Sequence, residues 1–151
     1  MLTLPGKMIN LVATRLVVTV LILFSISTPL YAQQSLMYFI LDGSGSMWGR
    51  IDGKMKIQIA KEVMTELILG MPDHFPAALM SYGLRKKADC SDIQELIPIG
   101  ALDKTNTIHI IKNITPKGKT PISDSLIQAA TEVKNSPYKT SIVLISDGIE
   151  T

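Results

Sequence analysis

Residues 36–46 read Leu36-Met37-Tyr38-Phe39-Ile40-Leu41-Asp42-Gly43-Ser44-Gly45-Ser46. Six apolar residues in a row are too few for a typical helix and read as a buried strand. The polar run that follows reads as the loop leaving its carboxyl end. One carboxylate and two hydroxyls therefore stand close together, on glycine-rich backbone loose enough to turn their oxygens toward one point. Hard divalent cations take oxygen ligands of this kind.

Downstream of this loop the periodicity changes. Ile59, Ala60, Val63, Met64, Leu67 and Ile68 recur at helical spacing, with Lys61, Glu62, Thr65 and Glu66 on the opposite face. That helix is expected to start near Gly53 and to stop at Gly70, before Pro72. Ala77 to Tyr82 reads as a second apolar strand, and Gly83 to Asp92 as a charged turn. Ile93 to Ile99 reads as an edge strand, because Pro98 would interrupt a central one. Thr105 to Ile114 has a weaker helical pattern. Thr120 is placed as a helix N-cap with Pro121 at the first helical position. Ile122, Leu126, Ala129, Ala130 and Val133 line one face of the helix that follows. Ser141 to Ile145 is a further strand, and Ser146-Asp147-Gly148 leaves its carboxyl end. Strands alternating with helices predict an α/β fold: a Rossmann-like, doubly wound, mostly parallel sheet with helices on both faces.

The N-terminus reads differently. Lys7 and Arg15 precede an apolar stretch from Leu16 to Ile26, and small or turn residues lead to Ala32. This is the pattern of a secretory signal over residues 1–32, cleaved before Gln33, which leaves 33–151 as one domain and an exported, periplasmic or secreted product. The alternative is a membrane anchor over residues 11–31. The chain has 151 residues, 46% of them hydrophobic, and a formal net charge of +2. Lys7 and Arg15 supply that excess, so residues 33–151 are formally neutral. The basic balance belongs to the export signal and gives no support for nucleic-acid binding.

Cys90 is the sole cysteine. In an oxidising compartment it is expected either buried as a thiol or paired with a cysteine outside this sequence. Asp89 and Asp92 flank it and would raise its pKa, which argues against a nucleophile. His74 and His109 have no metal-ligand spacing between them and read as structural or exposed. Trp48 reads as a cover for the loop, with partner contact as the lesser role.

In open α/β sheets, ligands bind beyond the carboxyl ends of strands where the strand order reverses. Three loops are candidates to meet there: Asp42–Ser46, the turn carrying Thr120 and the loop carrying Asp147. Two carboxylates balance a divalent cation, and hydroxyls add ligands without charge, which suits Mg²⁺ or Mn²⁺. Asp42-x-Ser44-x-Ser46 ending a first strand, Thr120-Pro121 opening a helix and Ser146-Asp147-Gly148 ending a later strand together resemble the von Willebrand factor type A domain and its metal-ion-dependent adhesion site. The run Leu41 to Gly49 is most similar to bacterial exported members, and the resemblance covers residue 36 to the end. It implies a cation held by Ser44, Ser46 and Thr120, with Asp42 and Asp147 acting directly or through water. It also implies binding of a protein whose Asp or Glu side chain completes the coordination, without catalysis. Glu150 is expected to act near the site rather than as a ligand.

Two other classes compete. A metal-dependent hydrolase or phosphatase with an aspartyl nucleophile needs a second acid two residues on, where this chain has Ser44. A serine hydrolase needs Gly-x-Ser-x-Gly, which neither Ser44 nor Ser46 satisfies. The third reading is a truncated fragment with little autonomous function: the family's fold continues past the region of Asp147 with further helices and strands, and without them residues 141–145 become an exposed apolar edge.

Overall fold

The computed structural model describes residues 34–148. The proposed export signal, residues 1–32, and Glu150 lie outside the described residues. Strand β1 (Ser35–Asp42) leads through a short 3₁₀ turn (Gly45–Trp48) into a small hairpin, β2 (Arg50–Ile51) and β3 (Lys54–Met55). Helix α1 (Lys56–Gly70), β4 (Pro76–Tyr82), β5 (Ile93–Ala101), α2 (Lys104–Asn113), α3 (Ile122–Val133) and β6 (Lys139–Ile145) follow.

The main sheet has the order β5-β4-β1-β6. β1 pairs in parallel with β4 on one side, Met37 opposite Ala77 through Asp42 opposite Tyr82. It pairs in parallel with β6 on the other, Ser35 opposite Lys139 through Leu41 opposite Ile145. The chain thus leaves β1 first to one side and later to the other, so the order reverses at β1. A crevice opens beyond the carboxyl ends of β1 and β6, where Asp42 and Asp147 stand. β5 is antiparallel to β4 and lies at the edge, with register shifts between Ala77 and Met80 opposite its Pro98 segment. A proline cannot donate to the ladder, which keeps this strand at the margin as the sequence suggests.

Burial explains the unbroken apolar run of β1. Phe39 and Leu41 face one cluster, with Leu79 of β4, Ile57, Met64 and Ile68 of α1, and Ile111 of α2. Tyr38 and Ile40 face the other, with Met80 and Tyr82 of β4 and Ala129 of α3. A central parallel strand is covered on both faces, so its residues need not alternate with polar ones. Tyr38 is fully buried, and its hydroxyl donates to the Glu132 carboxylate of α3, fastening that helix to the sheet.

Three local expectations need correction. Helix α1 begins at Lys56, not near Gly53, because Asp52 (φ 49°) and Gly53 (φ 81°) form the turn of the β2–β3 hairpin. Two successive left-handed residues are what a two-residue type I′ turn requires, and Asp-Gly is its common sequence. Pro121 rather than Thr120 stands at the N-cap of α3, with non-helical φ −79° and ψ 68°, and the proline side chain makes no capping hydrogen bond. Cys90 is exposed rather than buried. Helix α2, weak by its apolar pattern, is stabilised by Asp103, whose carboxylate accepts the Asn106 N–H at 3.0 Å.

Candidate functional site

Backbone contacts draw three loops together before any side chain acts. The Gly43 N–H donates to the Tyr82 carbonyl at 2.9 Å, and the Gly45 N–H to the Gly118 carbonyl at 3.0 Å. The Lys117 N–H reaches both the Gly43 and Gly83 carbonyls, and the Gly118 N–H donates to Gly83 at 2.8 Å. Such close approach leaves no room for side chains. A Cβ on Gly118 would stand 2.6 Å from the Lys86 carbonyl oxygen and 2.7 Å from the Gly83 Cα. Gly83 also has φ +70°, a conformation that glycine alone adopts without steric cost.

On this base the Asp42 carboxylate organises the first loop. Asp42 is fully buried. One of its oxygens accepts the Ser44 N–H at 2.7 Å and the other accepts the Ser146 hydroxyl at 2.7 Å. Asp42 therefore ties the end of β1 to the loop after β6, and both its oxygens are engaged. Tyr82 lies beside this pair, fully buried. Its hydroxyl makes no well-formed hydrogen bond among the described residues. Burial, followed by the neighbouring Asp42 charge, raises its pKa and keeps the phenol neutral.

The cavity side presents a chain of oxygens. The Ser44 and Ser46 Oγ atoms are 2.9 Å apart, and the Ser46 hydroxyl donates to Asp147 Oδ1 at 2.9 Å. Ser46, Thr120 and Asp147 line one cavity of about 480 Å³. Four sequence-predicted residues, Asp42, Ser44, Ser46 and Asp147, are thus joined by direct hydrogen bonds or through Ser146, and Thr120 contributes to the same wall. Adjacent ligands of an octahedral cation bound at about 2.1 Å would be about 3 Å apart, so the serine and carboxylate oxygens have the right spacing and hardness for Mg²⁺ or Mn²⁺. Among the described residues there is no cluster of three or more His, Cys, Asp and Glu side chains placed for a metal. The donors here are mostly hydroxyls.

One participant is absent from the expected set. The Lys56 ammonium, on the first residue of α1, donates to Asp147 Oδ2 at 2.7 Å. Burial works against the Asp147 charge. The Lys56 ammonium and the Ser46 hydroxyl outweigh it and hold the carboxyl below its usual pKa. The sequence signal was a lysine at the start of an amphipathic helix, which ordinarily reads as surface. Only the hairpin before α1 turns it toward Asp147. Trp48 caps the loop from the side, its indole N–H donating to the Pro116 carbonyl at 2.9 Å while the ring stays half exposed.

A family model for the von Willebrand factor type A domain matches residues 37–150. The chain belongs to this family. The uncharacterized protein YwmC of Bacillus subtilis (strain 168) is 24% identical over 148 residues, which cover 86% of this chain and 65% of that protein. The present chain thus spans somewhat less than two thirds of that relative's length. Among solved structures, the vWF domain of the type V pili tip protein Mfa5 from Porphyromonas gingivalis superposes with a TM-score of 0.61 and 21% identity, over 78% of this chain and 39% of that one. The pilus adhesin SpaC from Lactobacillus rhamnosus GG gives 0.65 at 14% identity, over 80% and 16%. At these identities the likeness is one of fold. It sets the four-stranded sheet and three helices of the described residues within the von Willebrand factor type A architecture.

Proposed function

We propose that the chain is a cation-dependent protein-binding module rather than an enzyme. Ser44, Ser46 and Asp147 would hold Mg²⁺ or Mn²⁺, Thr120 would contribute from the facing wall, and Asp42 would orient the first loop from behind. The observation that carries this reading is the oxygen chain Ser44–Ser46–Asp147, each step 2.9 Å, open to a cavity. A cation there supplies an electrophilic centre for one further anionic oxygen, and an Asp or Glu side chain of a partner protein fits that need. The family assignment supports an adhesion or interaction role, and the fold shared with pilus proteins supports an exported product, with residues 1–32 as the export signal.

Calorimetric titration of the full chain with Mg²⁺ and Mn²⁺ tests the reading. We expect one weak site, with a dissociation constant on the order of 0.1–1 mM. Ser46 is exposed, so Ser46→Ala should weaken binding at least about tenfold without unfolding the chain. A folded wild-type chain that takes up neither ion would contradict it. A phosphatase or esterase activity lost in Ser44→Ala would favour a hydrolase instead.

A further inference from the structure

The cavity that holds Ser46, Thr120 and Asp147 is walled by three lysines, Lys56, Lys87 and Lys119. Among the described residues Asp147 is the one carboxylate on that wall, and Lys56 already occupies one of its oxygens. The other cations of the 83–92 turn are matched: Arg85 pairs with Asp92 at 2.6 Å, and Lys86 with Asp89 at 3.0 Å. Lys87 and Lys119 have no ion-pair partner among the described residues. They come from different loops, the turn after β4 and the segment before α3. The Gly83–Gly118 backbone contact brings those loops together. Counted over the described residues, the cavity thus carries excess positive charge, and a bound divalent cation would add to it. A single partner carboxylate would leave most of that charge unmatched.

We infer that this cavity takes an acidic peptide segment with at least two carboxylates, one completing the cation's coordination and another held between Lys87 and Lys119. This rests on the cation reading above and extends it to the class of partner. The lysines act on an incoming anion and take no part in holding the metal.

The test titrates the full chain, with Mg²⁺ present or chelated, against two synthetic peptides of equal length. One carries a single Asp among Gly and Ser; the other carries four acidic residues. The wild-type chain should prefer the second by about tenfold or more at low salt, and the preference should shrink toward about 0.5 M NaCl. In the Lys87→Gln/Lys119→Gln variant, whose fold is checked by circular dichroism, the preference should fall to about twofold while Mg²⁺ binding is not weakened. Equal affinity for the two peptides, or a preference that survives the double substitution, overturns the inference. The two readings separate cleanly. Peptide binding that needs the lysines but not Mg²⁺ keeps the basic wall and overturns the cation site. Mg²⁺-dependent binding without preference for the acidic peptide does the reverse. A heparin fragment binding more tightly than the acidic peptide would overturn the assignment to a peptide.

Discussion

At the scale of single residues, the structure separates groups that hold the site's shape from groups that face the cavity. Gly118 belongs to the first kind. Gly118→Ala would drive a Cβ into the Lys86 carbonyl and the Gly83 Cα, both backbone atoms that cannot step aside. We expect a loss of about 1–3 kcal/mol in urea-induced unfolding. Asp92 is of the same kind. Its side chain is 1% exposed, and its oxygens accept from the Arg85 and Lys86 N–H groups, the Arg85 guanidinium and the Gln94 amide. Burial opposes its charge, but these donors hold its pKa below the usual carboxylate value. A depressed folded pKa stabilises the fold in full above the unfolded value of about 3.9 and loses that contribution as pH falls through the folded value. The stability of the wild-type chain should therefore drop below about pH 4, and Asp92→Asn should flatten part of that drop while costing about 1–3 kcal/mol at neutral pH. Lys56 belongs to the second kind. Its ammonium holds Asp147 Oδ2 and would compete with a cation bound there, so Lys56→Gln should tighten Mn²⁺ binding about threefold to tenfold. Unchanged or weaker binding would show that Lys56 supports the site rather than competes with it.

At the scale of elements, the sequence was most legible where a pattern is local. The Leu36–Leu41 strand, the α1 face and the Ser141–Ile145 strand were readable because burial imposes their periodicity directly. The Asp52-Gly53 turn and the Asp103 cap were also written in local sequence, and a reading centred on apolar spacing passed over them. Pro121, expected at the first helical position, stands at the cap instead, a shift of one residue at a boundary that local pattern does not fix. What local pattern could not show is convergence. Nothing in the spacing of Lys56, Lys87 and Lys119 says that they share one wall, since hairpin, turn and glycine contacts together decide it.

At the scale of the whole molecule, the fold and the site follow from one topological fact. β1 lies between β4 and β6, so its carboxyl end is where the chain's two directions part and a crevice forms. The two hydrophobic clusters hold that arrangement from both sides: Met64, fully buried in α1 against the sheet, should cost about 2–5 kcal/mol when replaced by alanine. The crevice is then furnished with oxygens at its floor and lysines on its wall. We propose that those oxygens bind one divalent cation. The most direct test is a Mn²⁺ titration of the full chain followed by electron paramagnetic resonance, with the Ser46→Ala variant alongside. The expected result is a single bound Mn²⁺, displaced by Mg²⁺ and lost in the variant. A folded chain that leaves Mn²⁺ free in solution, or one whose binding is untouched by Ser46→Ala, would contradict it.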